Sequence, residues 1–130
     1  EHVIAGEVEG ALREAVALNP CEVAEFTVAP QAAPPGGGLP FHEWYIEFAQ
    51  PPADMAALAQ AIDAALQKRN PYYKDLITGK VLRPLVIVPV RRGGFAAWMK
   101  ERGMNDAQSK VPRLANDRKY VDGLDASGPQ

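Results

Sequence analysis

Phe41-His42-Glu43-Trp44-Tyr45-Ile46-Glu47-Phe48 alternates large apolar side chains with charged ones. Trp44, Ile46 and Phe48 fall on one side and Glu43, Tyr45 and Glu47 on the other, the period-two pattern of a strand with one buried face. Residues 22–29 alternate in the same way, with Ala24, Phe26 and Val28 opposed to Val23, Glu25 and Thr27. Between the two runs, Pro34-Pro35-Gly36-Gly37-Gly38 forms a wide, flexible connection, so the pair is read as an antiparallel hairpin. A hairpin loop explains the triple glycine; no helix follows it where a phosphate cradle would require one.

Working outward, residues 3–18 place Val8, Leu12, Ala15 and Val16 on one helical stripe, and Asn19-Pro20 stops the helix. A second helix begins after Pro51-Pro52-Ala53, with Asp54 as its cap and Met55, Leu58, Ile62, Ala65 and Leu66 on the buried face. It ends near Asn70-Pro71, and Tyr72, Tyr73, Lys74 and Asp75 read as a polar connection. Residues 81–90 read as a third strand, apolar on both faces, with Pro84 and Pro89 confining it to a sheet edge or a bulge. Gly93-Gly94 turns the chain into a short helix over 95–102 carrying Phe95, Trp98 and Met99, which Gly103 stops. The order helix, strand, strand, helix, strand, helix predicts an α+β fold: a small, mostly antiparallel three-stranded sheet with helices packed on one face. Residues 1–124 are read as a single domain and 125–130 as a disordered tail.

The chain has 130 residues, 47% of them hydrophobic, enough for one domain with a real core. No run approaches the roughly 20 apolar residues of a membrane span, and no leader pattern opens the sequence, so a cytoplasmic home is expected. The first residue is Glu1 rather than Met, which fits either a segment of a longer product or a chain that follows a removed tag. A single cysteine, Cys21, excludes an internal disulfide or a multi-cysteine metal site and is read as a structural thiol. The net charge of −2 hides a polarised molecule. Residues 91–120 hold eight basic groups against three acidic ones, and the rest holds six against thirteen. Such a field favours an anionic ligand or an acidic surface.

The chemistry that is missing narrows the function. With Ser109 and Ser127, one cysteine, and histidines at positions 2 and 42, the chain is not a self-contained hydrolase. His42 shares a strand face with Trp44 and Ile46 and is read as a packed imidazole; no metal site is expected. Glu43 and Glu47 share the opposite face as surface glutamates. Arg91-Arg92 ahead of Gly93-Gly94 makes the mouth of the last helix a weak candidate anion site. By elimination, the segment from Gln108 to Arg118 stands out. It offers a primary amide, an ammonium and two guanidiniums, with Pro112 stiffening the backbone, and suits a phosphate or carboxylate. Each charge-assisted hydrogen bond there is worth roughly 1.5–3 kcal/mol when desolvated.

Gln108-Ser109-Lys110-Val111-Pro112-Arg113-Leu114 followed by Asn116-Asp117-Arg118 resembles the closing motif of the auxin-responsive (Gretchen Hagen) acyl acid amido synthetases. These are adenylate-forming enzymes of plants with bacterial relatives, and the chain resembles a bacterial-type member. His42-Glu43-Trp44-Tyr45-Ile46-Glu47-Phe48 is similar to a strand near the start of that family's C-terminal domain, and the run 95–103 to the helix before the motif. The resemblance spans residues 3–124. It implies the small, mobile C-terminal domain of a ligase that uses ATP and magnesium to adenylate a carboxylic acid and then forms an amide with an amino acid. It also implies a partner, the large N-terminal adenylating domain of the same polypeptide, without which this domain is inactive. By motif position, Lys110 is the implied catalytic residue, neutralising phosphate oxygens as pyrophosphate leaves. Gln108 and Arg113 are implied nucleotide or phosphate contacts or orienters of Lys110, and Asn116, Asp117 and Arg118 anchor the loop. Ala107 stands where the family usually has glycine, and Ala115 where serine is common.

The alternative reading is a free-standing α+β module that binds an anionic metabolite or a protein partner. Nucleic acid ranks last: Tyr120 is the one aromatic in the basic segment after Trp98, so there is no interleaved stacking platform.

Overall fold

A computed structural model describes residues 3–34, 36–101 and 113–114 of the chain. The elements run α1 (Ala5–Leu18), β1 (Glu22–Gln31), β2 (Phe41–Gln50), α2 (Met55–Arg69), α3 (Pro71–Thr78), β3 (Val86–Val90) and α4 (Gly94–Glu101). The fold is α+β, as the patterning indicates. The tail proposed for 125–130 lies outside the described residues.

The hairpin forms as its alternation requires. β1 pairs antiparallel with β2, setting Phe26 opposite Ile46, Thr27 opposite Tyr45 and Val28 opposite Trp44. The connection contains Gly36, Gly37 and Gly38 at φ +82°, +88° and +102°, a region open to glycine and costly for residues bearing a Cβ. β3 joins the other side of β2 in parallel, giving the order β1-β2-β3. Pro89 therefore sits in an edge strand, where a missing donor is tolerated.

The sequence expectation of a strand from residue 81 is too long. Leu82 instead continues a turn, its N–H donating to Leu76 O at 3.1 Å, and Arg83 N–H donates to Pro40 O at 3.0 Å. The apolar Leu82 and Leu85 are buried under the helices rather than arrayed on a ladder.

The polar connection expected after Asn70 is a helix, α3. Asn70 closes α2, its N–H donating to Leu66 O at 2.9 Å, and also opens α3, its Oδ1 accepting from Tyr73 N–H at 2.9 Å. Pro71 occupies the first turn of α3, where its missing N–H costs nothing. The same Asn-Pro pair that ends one helix therefore starts the next. The remaining Asn70 amide donates to Glu7 Oε1 at 3.0 Å and ties the corner to α1.

Two clusters sandwich the sheet. Phe26, Val28, Trp44, Ile46 and Phe48 meet α1, α2 and α3 through Val8, Leu12, Leu58, Ile62, Leu66 and Tyr73. Trp44 is wholly buried and stacks on Phe26, with ring centroids 6.1 Å apart. On the opposite face, Tyr45, Ala29 and Val90 meet Phe95 and Trp98 of α4, so helices cover both faces rather than the one face expected, because Tyr45 and Val90 give that side an apolar surface of its own. Both faces of β3 are thus covered, Ile87 on one side and Val88 and Val90 on the other, as its doubly apolar sequence demands.

Candidate functional site

The basic motif reaches the described structure at Arg113 and Leu114. Val28 N–H donates to Arg113 O at 3.0 Å, and Leu114 makes an isolated parallel bridge with Val28. Since β1 is an edge strand, this contact adds a short piece of the motif to the edge that β2 leaves open. Leu114 is half-buried against the main cluster and acts as an apolar peg.

The Arg113 side chain does the rest of the fastening. Its guanidinium donates to Glu25 Oε1 and to Phe26 O at 3.0 Å. It lies over the Phe26 ring, 4.6 Å from the centroid, and its Nε is 3.8 Å from Glu9 Oε2 of α1. One cation thus faces two carboxylates, a backbone carbonyl and an aromatic ring. In this arrangement the guanidinium is directed at acceptors of its own domain. Lys110, Gln108, Asn116, Asp117 and Arg118 lie outside the described residues.

The candidate anion site at the mouth of α4 is filled from within. Glu47 accepts from Gly93 N–H at 3.0 Å and from Phe95 N–H at 3.2 Å, placing a carboxylate where helix amides and dipole would draw an anion. Glu43, its neighbour on that face, accepts from Tyr45 hydroxyl at 2.9 Å. The two glutamates are therefore spent on structure. Arg92 donates to Ala49 O across the same corner.

His42 is buried and stacks on Tyr73, centroids 5.6 Å apart, in keeping with a packing role. Burial pushes the Cys21 thiol up, away from thiolate chemistry. Sequence reading did not find the node at Asp63. This carboxylate is 6% exposed and accepts from Tyr73 hydroxyl at 2.5 Å, Gln67 Nε2 at 2.6 Å and Leu85 N–H at 3.3 Å. It joins α2, α3 and the approach to β3, at the base of a groove of about 670 Å³ rimmed by Lys68, Pro71 and Lys74.

The fit to ATP and magnesium can be judged on these residues. Among the described residues no three His, Cys, Asp or Glu side chains converge for a metal. The α4 amides hold Glu47 and the Arg113 guanidinium faces carboxylates. Neither the α4 amides nor the Arg113 guanidinium is turned toward a phosphate in this arrangement.

The described residues define an α+β domain with Arg113 and Leu114 laid on the open edge of its sheet. The family model described as the GH3 family C-terminal domain matches residues 6–119, and the chain belongs to that family. The fold is similar to that of a solved GH3.15 acyl acid amido synthetase, with a TM-score of 0.73 and 20% identity over 92% of this chain and 23% of that one. It is also similar to "AtGH3.15 acyl acid amido synthetase in complex with 2,4-DB", with a TM-score of 0.71 and 16% identity over 95% of this chain and 25% of that one. The chain thus spans about a quarter of the length of these solved structures. No curated protein is significantly similar to it in sequence. Among the described residues no helix is long and apolar enough to cross a membrane.

Proposed function

We propose that this chain serves as the C-terminal domain of an ATP-dependent acyl acid amido synthetase. In this reading it is a mobile lid over a large N-terminal domain of the same polypeptide and is inactive alone. The family match over residues 6–119 carries the reading. ATP, magnesium and the carboxylic acid are held in the N-terminal domain of a cytoplasmic enzyme, and an amino acid receives the activated acyl group.

Lys110 is the proposed catalytic residue, a compact cation for phosphate oxygens as pyrophosphate departs. Gln108 is the proposed phosphate contact beside it. For Arg113, the Glu25, Glu9 and Phe26 contacts support the orienting role; direct phosphate contact would require it to leave two carboxylates. Three residues of chain span at most about 11 Å, so an anchor at Arg113 limits how far Lys110 can stray from the β1 edge. Asn116, Asp117 and Arg118 are proposed to hold the far side of the loop.

The test uses the complete polypeptide that contains this segment. Pyrophosphate release is measured with ATP, magnesium and a panel of aryl and alkyl acids, with and without amino acids. Release that requires an acid, and an amide product that requires the amino acid, are expected. Turnover by neither route with any acid overturns the reading.

A further inference from the structure

Glu25 lies at the centre of the contacts that hold Arg113. It follows an irregular stretch of the ladder, in which Glu22 is paired with Gln50, Val23 with Phe48 and Glu25 with Glu47. Its carboxylate then accepts from Phe26 N–H at 3.1 Å and from the Arg113 guanidinium, which also donates to Phe26 O. Val28 N–H is taken by Arg113 O. The open edge of β1 is closed from Phe26 to Val28 by one carboxylate and one residue of the motif. Glu9, on α1, stands behind the same guanidinium at 3.8 Å.

We propose that Glu25, backed by Glu9, is a positioning residue of the synthetase: it clasps Arg113 and thereby sets where the motif leaves the β1 edge. The proposal rests on the functional reading above. Edge protection alone would be met by any lysine or proline on β1. The arrangement instead spends two acidic residues and an aromatic ring on one arginine of the motif. A guanidinium held by a carboxylate, a carbonyl and a ring face has its direction fixed as well as its distance. Small displacements of a group that meets developing charge are costly in rate, while ground-state binding of ATP by the other domain is left intact.

The experiment is done in the full-length protein with Glu25→Gln, Arg113→Glu and the reciprocal pair Glu25→Arg/Arg113→Glu. Acid-dependent exchange of pyrophosphate into ATP and hydrogen exchange over residues 25–29 are both measured. Glu25→Gln is expected to lower kcat roughly tenfold or more, to leave KM for ATP within about twofold, and to speed exchange at Val28 N–H. The reciprocal pair is expected to recover much of the kcat that Arg113→Glu alone loses. Wild-type kcat in Glu25→Gln, a loss confined to KM, or a reciprocal pair no better than Arg113→Glu overturns the proposal. Glu9→Gln, on an exposed helix surface, gives a smaller effect in the same direction and stands in if Glu25→Gln does not fold. A wild-type protein without acid-dependent exchange instead sinks the synthetase reading and any positioning role with it. Hydrogen exchange tells the two failures apart, since the clasp itself stays measurable at Val28.

Discussion

Asp63→Ala is expected to destabilise the domain by about 2–4 kcal/mol. Asp63 is nearly wholly buried, and two of its donors, Tyr73 hydroxyl and Leu85 N–H, lie in buried surroundings. A hydrogen bond to a charged group is worth about 1.5–3 kcal/mol, and a buried donor stripped of its acceptor costs about 1–3 kcal/mol. The Tyr73 bond, at 2.5 Å, belongs at the upper end; the Leu85 bond, at 3.3 Å, belongs at the lower. Gln67 is part-buried and can turn to water, so it adds little. Relief from burying the carboxylate offsets part of the loss. Tyr73→Phe alone should cost about 1.5–2 kcal/mol, and the double variant little more than Asp63→Ala, because the shared bond is lost once. Urea unfolding followed by the fluorescence of Trp44 and Trp98 reads these differences as shifts in midpoint at constant slope. A cost below about 0.5 kcal/mol for Asp63→Ala, or strict additivity in the cycle, would refute the assignment of Asp63 as the node joining α2, α3 and β3.

Two further outcomes follow from named contacts. Glu47→Ala removes the carboxylate that caps α4 at Gly93 and Phe95 and should cost about 1–2 kcal/mol; Trp98 should then become more accessible to a collisional quencher such as acrylamide. Glu14 is held below the usual carboxylate range by its hydrogen bond to Lys68, then by that to Arg69. Its contribution to stability is present above its unfolded pKa near 4.5 and is lost as pH falls through the lower folded value. Glu14→Gln should therefore flatten the acid limb of the urea midpoint against pH below about 4.5; an unchanged limb would show that this exposed pair carries nothing.

Local signals in the sequence were enough for much of the fold. The alternation of 41–48 marked a strand, although Tyr45 on its charged side is buried under α4 as well; Asp54 caps α2 by accepting from Ala57 N–H at 3.1 Å, and Pro89 marks an edge. α3 was missed because Asn70-Pro71 reads equally as a stop and as a start, and only the burial of Tyr73 against Asp63 decides between them. Residues 81–85 were read as strand from apolar content alone, which does not distinguish a ladder from a turn packed under helices. The site was less legible still. That Glu47 closes the α4 amides, and that Glu9 and Glu25 meet Arg113, are contacts between residues far apart in the chain, invisible to motif or period. The motif positions 108, 110 and 116–118 lie outside the described residues, so their roles rest on the resemblance.

The most direct test of the account is acid-dependent exchange of pyrophosphate into ATP by the full-length protein, compared with Lys110→Ala. Exchange is expected in the wild type, and Lys110→Ala is expected to slow it by roughly a hundredfold or more, with ATP affinity nearly unchanged. Equal exchange rates would remove Lys110 from the chemistry, and no exchange in either protein would leave this domain an anion- or protein-binding module.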